Sequence, residues 1–390
     1  MTALYLLEPD PPGAEWAPFG GVRPIAELRA GIWRIRERWE AAVQADTSAI
    51  LARHVEGFRG EDEGPPVRPP GTIEGPAVIA AAWFAPAGAA QSLPPEARRL
   101  AHRGTTVGWK VGPGERWSGP SSAGTAVEVE GCLLGGSYDL ITALEQFLAA
   151  DCEDFRPAPS RGVPEGSIVL GDPARVLSLG AAIEPGVVFD VRPGAVVLEE
   201  GAEVRSGTRL EGPVYVGAGT RVLGGCIRNS VLGPECRVRG EVTSSVFLAY
   251  ANKAHDGFVG HSVVGPWVNL GAGTTTSNLK NTYGPVRLEV AGKRIETGRT
   301  NLGTLFGDHA KTAIGTMLAT GSVVSAGAQI FGASIPPKYL PPFAWGCDGE
   351  RLDEAGFLRT AERVMSRRNL DLTPARREAL RKTFARGMTR

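Results

Sequence analysis

The 390-residue chain carries 42 Lys+Arg and 42 Asp+Glu, so its formal net charge is zero, which excludes a bulk nucleic-acid binder with a basic footprint. Its 52 Gly and 30 Pro make up about a fifth of the residues, against roughly 12% in average usage, which excludes a mostly helical bundle. A hydrophobic content of 42% excludes wholesale disorder.

The N-terminus, MTALYLLEPD, has neither a basic n-region nor a long apolar run, so no signal peptide is expected. No stretch approaches the ~18 apolar residues of a transmembrane helix. The five cysteines, 132, 152, 226, 236 and 347, are odd in number and contain no CxxC pair. They fit a reducing compartment better than a disulfide framework or a zinc site. A cytoplasmic protein with no membrane partner is the expectation.

Residues 1–160 read as a small α/β domain. Helical spacing runs from Ile25 to Val43, a buried strand is expected at 77–83, and Leu140 to Ala150 reads as a second helix. Residues 153–166, with three Pro and two Gly, read as a linker.

From about 165 to 346 the sequence changes character. Every sixth residue from Leu198 is aliphatic: Leu198, Val204, Leu210, Val216, Val222. Four positions after each stands a small or β-branched residue: Ala202, Thr208, Val214, Thr220, Cys226. Neither the helical period of 3.6 nor the strand period of 2 produces a period of six. The phase slips near 226–232 and returns, with Thr312, Leu318, Val324 and Ile330 as a later inward series. This hexapeptide repeat is the signature of a parallel β-helix, in which three short strands make a triangular coil and coils must stack to bury their aliphatic residues. The repeat breaks from about 276 to 301, where an insertion must leave the coil as a surface loop. After Trp345 a helical tail is expected at 347–390. It is basic at its end, with Thr373 as N-cap and Pro374 at the first helical position.

Titratable residues that are scarce elsewhere concentrate here. Four of the seven lysines and three of the five histidines lie between 253 and 311. The densest polar run is Tyr250 to His261, followed by Val268 to Tyr283. His255 is followed by Phe258-Val259-Gly260, and then by Asn269-Leu-Gly-Ala-Gly-Thr-Thr-Thr-Ser-Asn278. In these residues the chain resembles the left-handed β-helix acyltransferases, and most closely the bifunctional N-acetylglucosamine-1-phosphate uridyltransferase/glucosamine-1-phosphate acetyltransferase family. The resemblance implies that His255 is the general base that deprotonates a substrate amine for attack on acetyl-CoA. It implies that Asn269 and Asn278 bind the sugar phosphate or orient the amine, and that Gly271, Ala272 and Gly273 pass close to the cofactor. Backbone N–H groups there would stabilise the oxyanion. A homotrimer is implied as well.

The chain departs from that family in places. The tyrosine three residues after the histidine is Phe258. The tyrosine expected after the second asparagine is Leu279, with Tyr283 four residues on. The phosphate-binding lysine would fall at Thr243, with Lys253, Lys280 or Lys311 as replacements. Residues 1–150 resemble a shortened sugar-nucleotide pyrophosphorylase, with Arg23-Pro24-Ile-Ala-Glu-Leu-Arg29-Ala-Gly31 in place of the Pro-Lys segment. The glycine-rich phosphate loop and the Gly-Asp metal motif are missing. Arg23 and Arg29 are the candidate cations for a nucleoside triphosphate, with Mg2+ as the metal such chemistry uses; no metal ligands are assigned.

The expected protein is therefore a transferase acting on an amino sugar phosphate, joined to a nucleotidyltransferase-like domain. Its rivals are nucleotidyl transfer alone with the β-helix as scaffold, a non-catalytic sugar-nucleotide binder, and a hexapeptide-repeat carbonic anhydrase using His255, His261 and His309.

Overall fold

The computed structural model describes residues 2–88, 96–156, 158, 160–332 and 335–388. The N-terminal region is built on a seven-stranded sheet. Across it the strands run in the order Ala126–Glu128, Arg99–His102, Thr105–Val111, Ala77–Ala81, Ala3–Leu7, Thr47–Leu51, Val67–Arg68. Ala3–Leu7 pairs in parallel with both Thr47–Leu51 and Ala77–Ala81, whereas Thr105–Val111 is antiparallel to its neighbours. All five residues of Ala77–Ala81 are buried, as an uninterrupted apolar strand requires.

The helix expected over 25–43 is interrupted. A single 3-10 turn spans Ile25–Glu27, and helix α1 runs only over Ile35–Val43. Between them Gly31 takes φ +74°, a left-handed conformation open to glycine. Tertiary contact decides the break. Asp151, on helix α2 (Asp139–Glu153), accepts the Ile32 N–H at 2.8 Å and pairs with Arg38. A Cβ on Gly31 would lie 2.3 Å from an Asp151 carboxylate oxygen.

From Ile168 onward short strands pair in parallel, each with its counterpart one coil away. They form three faces of a parallel β-helix. One face, here face A, runs through Phe189, Leu210, Ile227, Val242 and Val259. Face B carries Leu198, Val216, Leu232, Phe247, Val264, Phe306, Val324 and Leu340 in register. Face C carries Val204, Val222, Val238 and Lys253, then Leu270, Thr312 and Ile330 in register. The aliphatic series from Leu198 to Val222 forms one buried core. Cys226 is the exception in the companion series. The Gly224-Gly225 pair shifts the phase, so Ile227 enters the core and Cys226 is only half-buried on the outside.

Face B is apolar on both sides. Its outward residues Leu177, Val197, Tyr215, Val231, Val246, Val263, Leu305 and Val323 join the same core as Leu28, Ile32, Leu144 and Phe147 of the N-terminal region. At roughly 1.5–3 kcal/mol for each large apolar side chain buried, this is a permanent junction rather than a linker-tethered pair. The insertion after the repeat breaks off is not a plain loop. Arg287–Val290 and Lys293–Glu296 form an antiparallel hairpin, whose Leu288 and Val290 tuck into that core. The tail helices α3 (Glu354–Ser366) and α4 (Pro374–Met388) close the far end, where Phe343, Phe357 and Phe384 pack together.

Candidate active site

The turn joining face C to face A stacks coil upon coil. Lys253 ends a face C strand, His255 and Asp256 form the turn, and Phe258–Gly260 begins face A. In the next coil Ala272 and Gly273 form the equivalent turn, and the Gly273 N–H donates to the Asp256 carbonyl at 3.0 Å. Above that, the Gly315 N–H donates to the Ala272 carbonyl at 2.7 Å. His255 is exposed, directly beside the turn formed by the Gly-Ala-Gly motif. Gly257 makes this stacking possible. A Cβ there would sit 2.3 Å from the Thr274 carbonyl oxygen, at φ +132°.

Backbone donors at these turns are mostly committed. Gly271 N–H donates to Thr312, to its carbonyl at 3.1 Å and its hydroxyl at 3.0 Å. Among the described residues the Ala272 N–H makes no hydrogen bond. It is the donor left at the motif for a developing oxyanion.

Lys253 is 2% exposed, and its ammonium donates to the Arg239 and His255 carbonyls, each at 2.8 Å. Burial pulls its pKa down to about 8. It fixes the His255 turn and does not reach into solvent toward a phosphate.

At the opposite edge of face A, the turn from A to B gathers a second polar group. His261 Nδ1 lies 2.8 Å from the Asn278 amide nitrogen. With the amide donating, Nδ1 is the acceptor and His261 is neutral. Burial lowers its pKa, and the cations Arg299 and Arg228 lower it further against Glu145. One coil before Thr243, Arg228 stands in register with it, and its Nε donates to the Thr243 hydroxyl at 2.9 Å. The Arg228 guanidinium thus stands beside Thr243 from the neighbouring coil, and it also reaches Glu241 at 3.3 Å.

The structure thus places His255 at one edge of face A and Asn278 at the other, with Phe258 between. Gly260 leaves space for the Phe258 ring and the Asn278 amide, since a Cβ would meet them at 2.5 and 2.8 Å. Asn269 is not brought to this face. It lies on face C, where its side-chain carbonyl accepts from the Asn252 amide at 2.7 Å. Lys280 donates to the Pro285 carbonyl at 2.7 Å and Tyr283 is 73% exposed on the insertion. His255, His261 and His309 occupy three different turns of the chain. His309 is buried between Trp267 and Phe357. Arg228 comes from the preceding coil, and Arg299 comes from the return of the insertion, where it bonds Thr142 and Glu145 of α2; neither adjoins His261 in the sequence. The signal for Arg228 is its spacing of one coil before Thr243.

Arg23 and Arg29 are both buried at the junction with the β-helix. Arg23 Nε donates to both Asp308 oxygens at 3.1 and 3.0 Å, and its Nη2 reaches Glu61 at 3.2 Å. Arg29 donates to the Leu248 carbonyl at 3.1 Å and to the Ile32 carbonyl. The segment after strand Ala3–Leu7, where a phosphate loop would stand, is wound into turns. The N–H groups of Trp16, Ala17, Phe19, Gly20, Val22 and Arg23 all donate to carbonyls of residues 13–19. No group of three or more His, Cys, Asp or Glu side chains is placed to hold a metal ion among the described residues.

Residues 7–156 match the family model described as sugar nucleotidyl transferase. The chain is 37% identical over 153 residues to a "Bifunctional sugar-1-phosphate nucleotidylyltransferase/acetyltransferase" of Sulfurisphaera tokodaii, covering 36% of this chain and 36% of that protein. It is 35% identical over 94 residues to a "Bifunctional protein GlmU" of Methanocaldococcus jannaschii, covering 24% of this chain and 22% of the relative. The matched part is thus about a third of the first relative and less of the second. A crystal structure of UDP-N-acetylglucosamine acyltransferase aligns at 14% identity over 57% of this chain and 86% of its own, with a TM-score of 0.18. The two relatives and the family model agree with the resemblance to sugar nucleotidyltransferases joined to acetyltransferases. No described helix is long and apolar enough to cross a membrane.

Proposed function

We propose that the β-helix transfers the acetyl group of acetyl-CoA to the amine of an amino sugar phosphate, of the glucosamine 1-phosphate type. The observation that carries this reading is the stacking of the exposed His255 turn directly beneath the Ala272-Gly273 turn.

His255 takes a proton from the substrate amine. The amine nitrogen attacks the thioester carbonyl carbon, and the carbonyl oxygen gains negative charge facing the Ala272 N–H. Collapse of the tetrahedral species breaks the carbon–sulfur bond, and the thiolate leaves with the proton held by His255. Across face A, Arg228 suits the sugar phosphate as a charged donor. Asn278, oriented by His261, suits a sugar hydroxyl or the amine itself.

Exposed apolar side chains continue from this edge toward the C-terminal coils. Ile314 is 79% exposed and Met317 48%, and Phe331, Ile335 and Trp345 are also exposed. Such a patch beside an open site supports a homotrimer, with a second copy completing the cleft. The five free cysteines suit a reducing, cytoplasmic setting.

The test is His255→Ala assayed for thiol release from acetyl-CoA with glucosamine 1-phosphate. A fall of at least about a hundredfold in kcat is expected, the size of a lost general base. Unchanged turnover would remove His255 from the mechanism.

A second reading, nucleotidyl transfer at the N-terminal region, is favoured by the family match over residues 7–156. Pyrophosphate release from a nucleoside triphosphate and a sugar phosphate, in the presence of Mg2+, tests it separately.

A further inference from the structure

On face C the outward residues Arg237, Asn252, Asn269, Lys311 and Gln329 stand in register, one per coil. The C-terminal end of α3 lies across the middle of this row. Between them is a cavity of about 260 Å3, lined in part by Tyr250, Asn252, Asn269, Lys311, Arg367 and Arg368.

Its charge is one-sided. Three cations line it and no carboxylate does. Lys311 has its ammonium on the His309 carbonyl at 3.0 Å, and no acid offsets its burial. Arg368 Nε is shielded from solvent with no hydrogen-bond partner. Glu235, the acid that acts on Arg368, is engaged by Arg237 at 3.2 Å, and Glu61, which accepts from the Trp267 indole at 3.2 Å, is engaged by Arg23 at 3.2 Å. Cations gathered without counter-charge repel one another, and a buried donor without an acceptor costs free energy. Both costs are relieved by a bound dianion. The rest of the lining suits an organic body on that dianion. Tyr250 lies flat on Trp267 with ring centroids 4.4 Å apart, and the Asn252–Asn269 pair keeps amide groups for hydroxyls.

We propose that this cavity binds the phosphate group of a phosphate monoester, held by Lys311, Arg367 and Arg368, with its sugar or ribose against the Asn252–Asn269 pair and the Tyr250 ring. The site is distinct from the acyl-transfer edge. His255 does not line it, and Lys253 lies on the inner side of the same strand.

The experiment titrates the full chain with inorganic phosphate, glucosamine 1-phosphate and adenosine 3′,5′-bisphosphate, reading thermal stabilisation against KCl of matched ionic strength. Saturable stabilisation is expected for the wild type and for His255→Ala. It should be about tenfold weaker in Arg367→Ala, which removes an exposed side chain, and in Lys311→Met. Tightest binding by glucosamine 1-phosphate identifies a sugar phosphate as the source. Tightest binding by the bisphosphate identifies a coenzyme or nucleotide. Stabilisation no greater than with KCl, or equal in wild type and both variants, overturns the site. Because binding alone is read, loss of acetyl transfer in His255→Ala leaves this result independent.

Discussion

Arg23→Met probes how the N-terminal region is fixed to the β-helix. The Arg23 side chain is 5% exposed and Asp308 10%, and they meet at 2.9 Å. Burial works against the guanidinium charge, but Asp308 and Glu61 outweigh it and raise the Arg23 pKa, so the charge persists at any ordinary pH. Methionine keeps the aliphatic stem and removes the charge, leaving the Asp308 carboxylate buried and unpaired. Breaking one side of a buried pair costs about 3–5 kcal/mol. Burial already raises the Asp308 pKa, and Arg23 holds it down. Without Arg23 it rises further. An acid whose folded pKa is raised contributes stability that is present at low pH and lost as pH climbs through that value. The deficit of Arg23→Met should therefore be larger at pH 8 than at pH 5. Urea unfolding followed by tryptophan fluorescence at both pH values measures it. The double variant Arg23→Met/Asp308→Leu removes both charges and should recover most of the loss. A deficit below about 1 kcal/mol, or a double variant as unstable as the single one, would refute the reasoning.

Four further outcomes are expected. Gly257→Ala should cost at least about 2 kcal/mol and abolish acetyl transfer, because its Cβ meets the Thr274 carbonyl. Gly292→Ala, also left-handed but open around its Cα, should cost only about 1–2 kcal/mol in the same unfolding assay. Lys253 has a lowered folded pKa of about 8, so its burial penalty is full below pH 8 and fades as pH rises toward the unfolded value. The wild-type-minus-Lys253→Met stability difference should thus shift in favour of wild type by up to about 3 kcal/mol between pH 8 and 10.5, and a flat difference would contradict the assignment. Ile314→Glu/Met317→Glu places charge on the exposed apolar patch and should yield monomers by light scattering, while a monomeric wild type would remove the trimer.

The β-helix was legible in the sequence because one inward residue per strand must be apolar, and only stacking keeps that phase for coil after coil. Cys226 shows the limit: two glycines shift the chain by part of a turn, and periodicity alone could not say which neighbour turned inward. The junction with the N-terminal region left a fainter mark. Strands with two adjacent apolar residues, such as Val196–Leu198, Val246–Phe247 and Val263–Val264, bury one side chain inside and one outside, but a sequence does not say what covers the second. At the site, His255 and the Gly-Ala-Gly turn were legible as a local motif. That Asn269 lies on face C, away from His255 and Asn278, was not legible, because a motif spacing does not reveal which of three faces a residue points from. Arg228 and Arg299 escaped notice because coil stacking brings the first to Thr243 and the returning insertion brings the second toward His261.

The same distinction bears on the N-terminal region. The strand order around Ala3–Leu7 provides a parallel core of the kind that presents loops at strand ends. A phosphate cradle, however, needs backbone N–H groups turned outward, and those of Trp16, Ala17, Phe19, Gly20, Val22 and Arg23 are spent in turns. The same loop is pressed on the β-helix, where a Cβ on Gly307 would come 3.0 Å from Pro18. Arg23, the cation nearest the loop, neutralises Asp308. Nucleotide binding at this loop would therefore have to unwind its turns and release Arg23 from Asp308. Amide hydrogen exchange over residues 16–23 reads that directly. It should stay slow and unchanged when a nucleoside triphosphate and Mg2+ are added. A nucleotide-dependent rise in exchange there, together with pyrophosphate release, would show that the junction opens and that the loop itself is the nucleotidyl-transfer site.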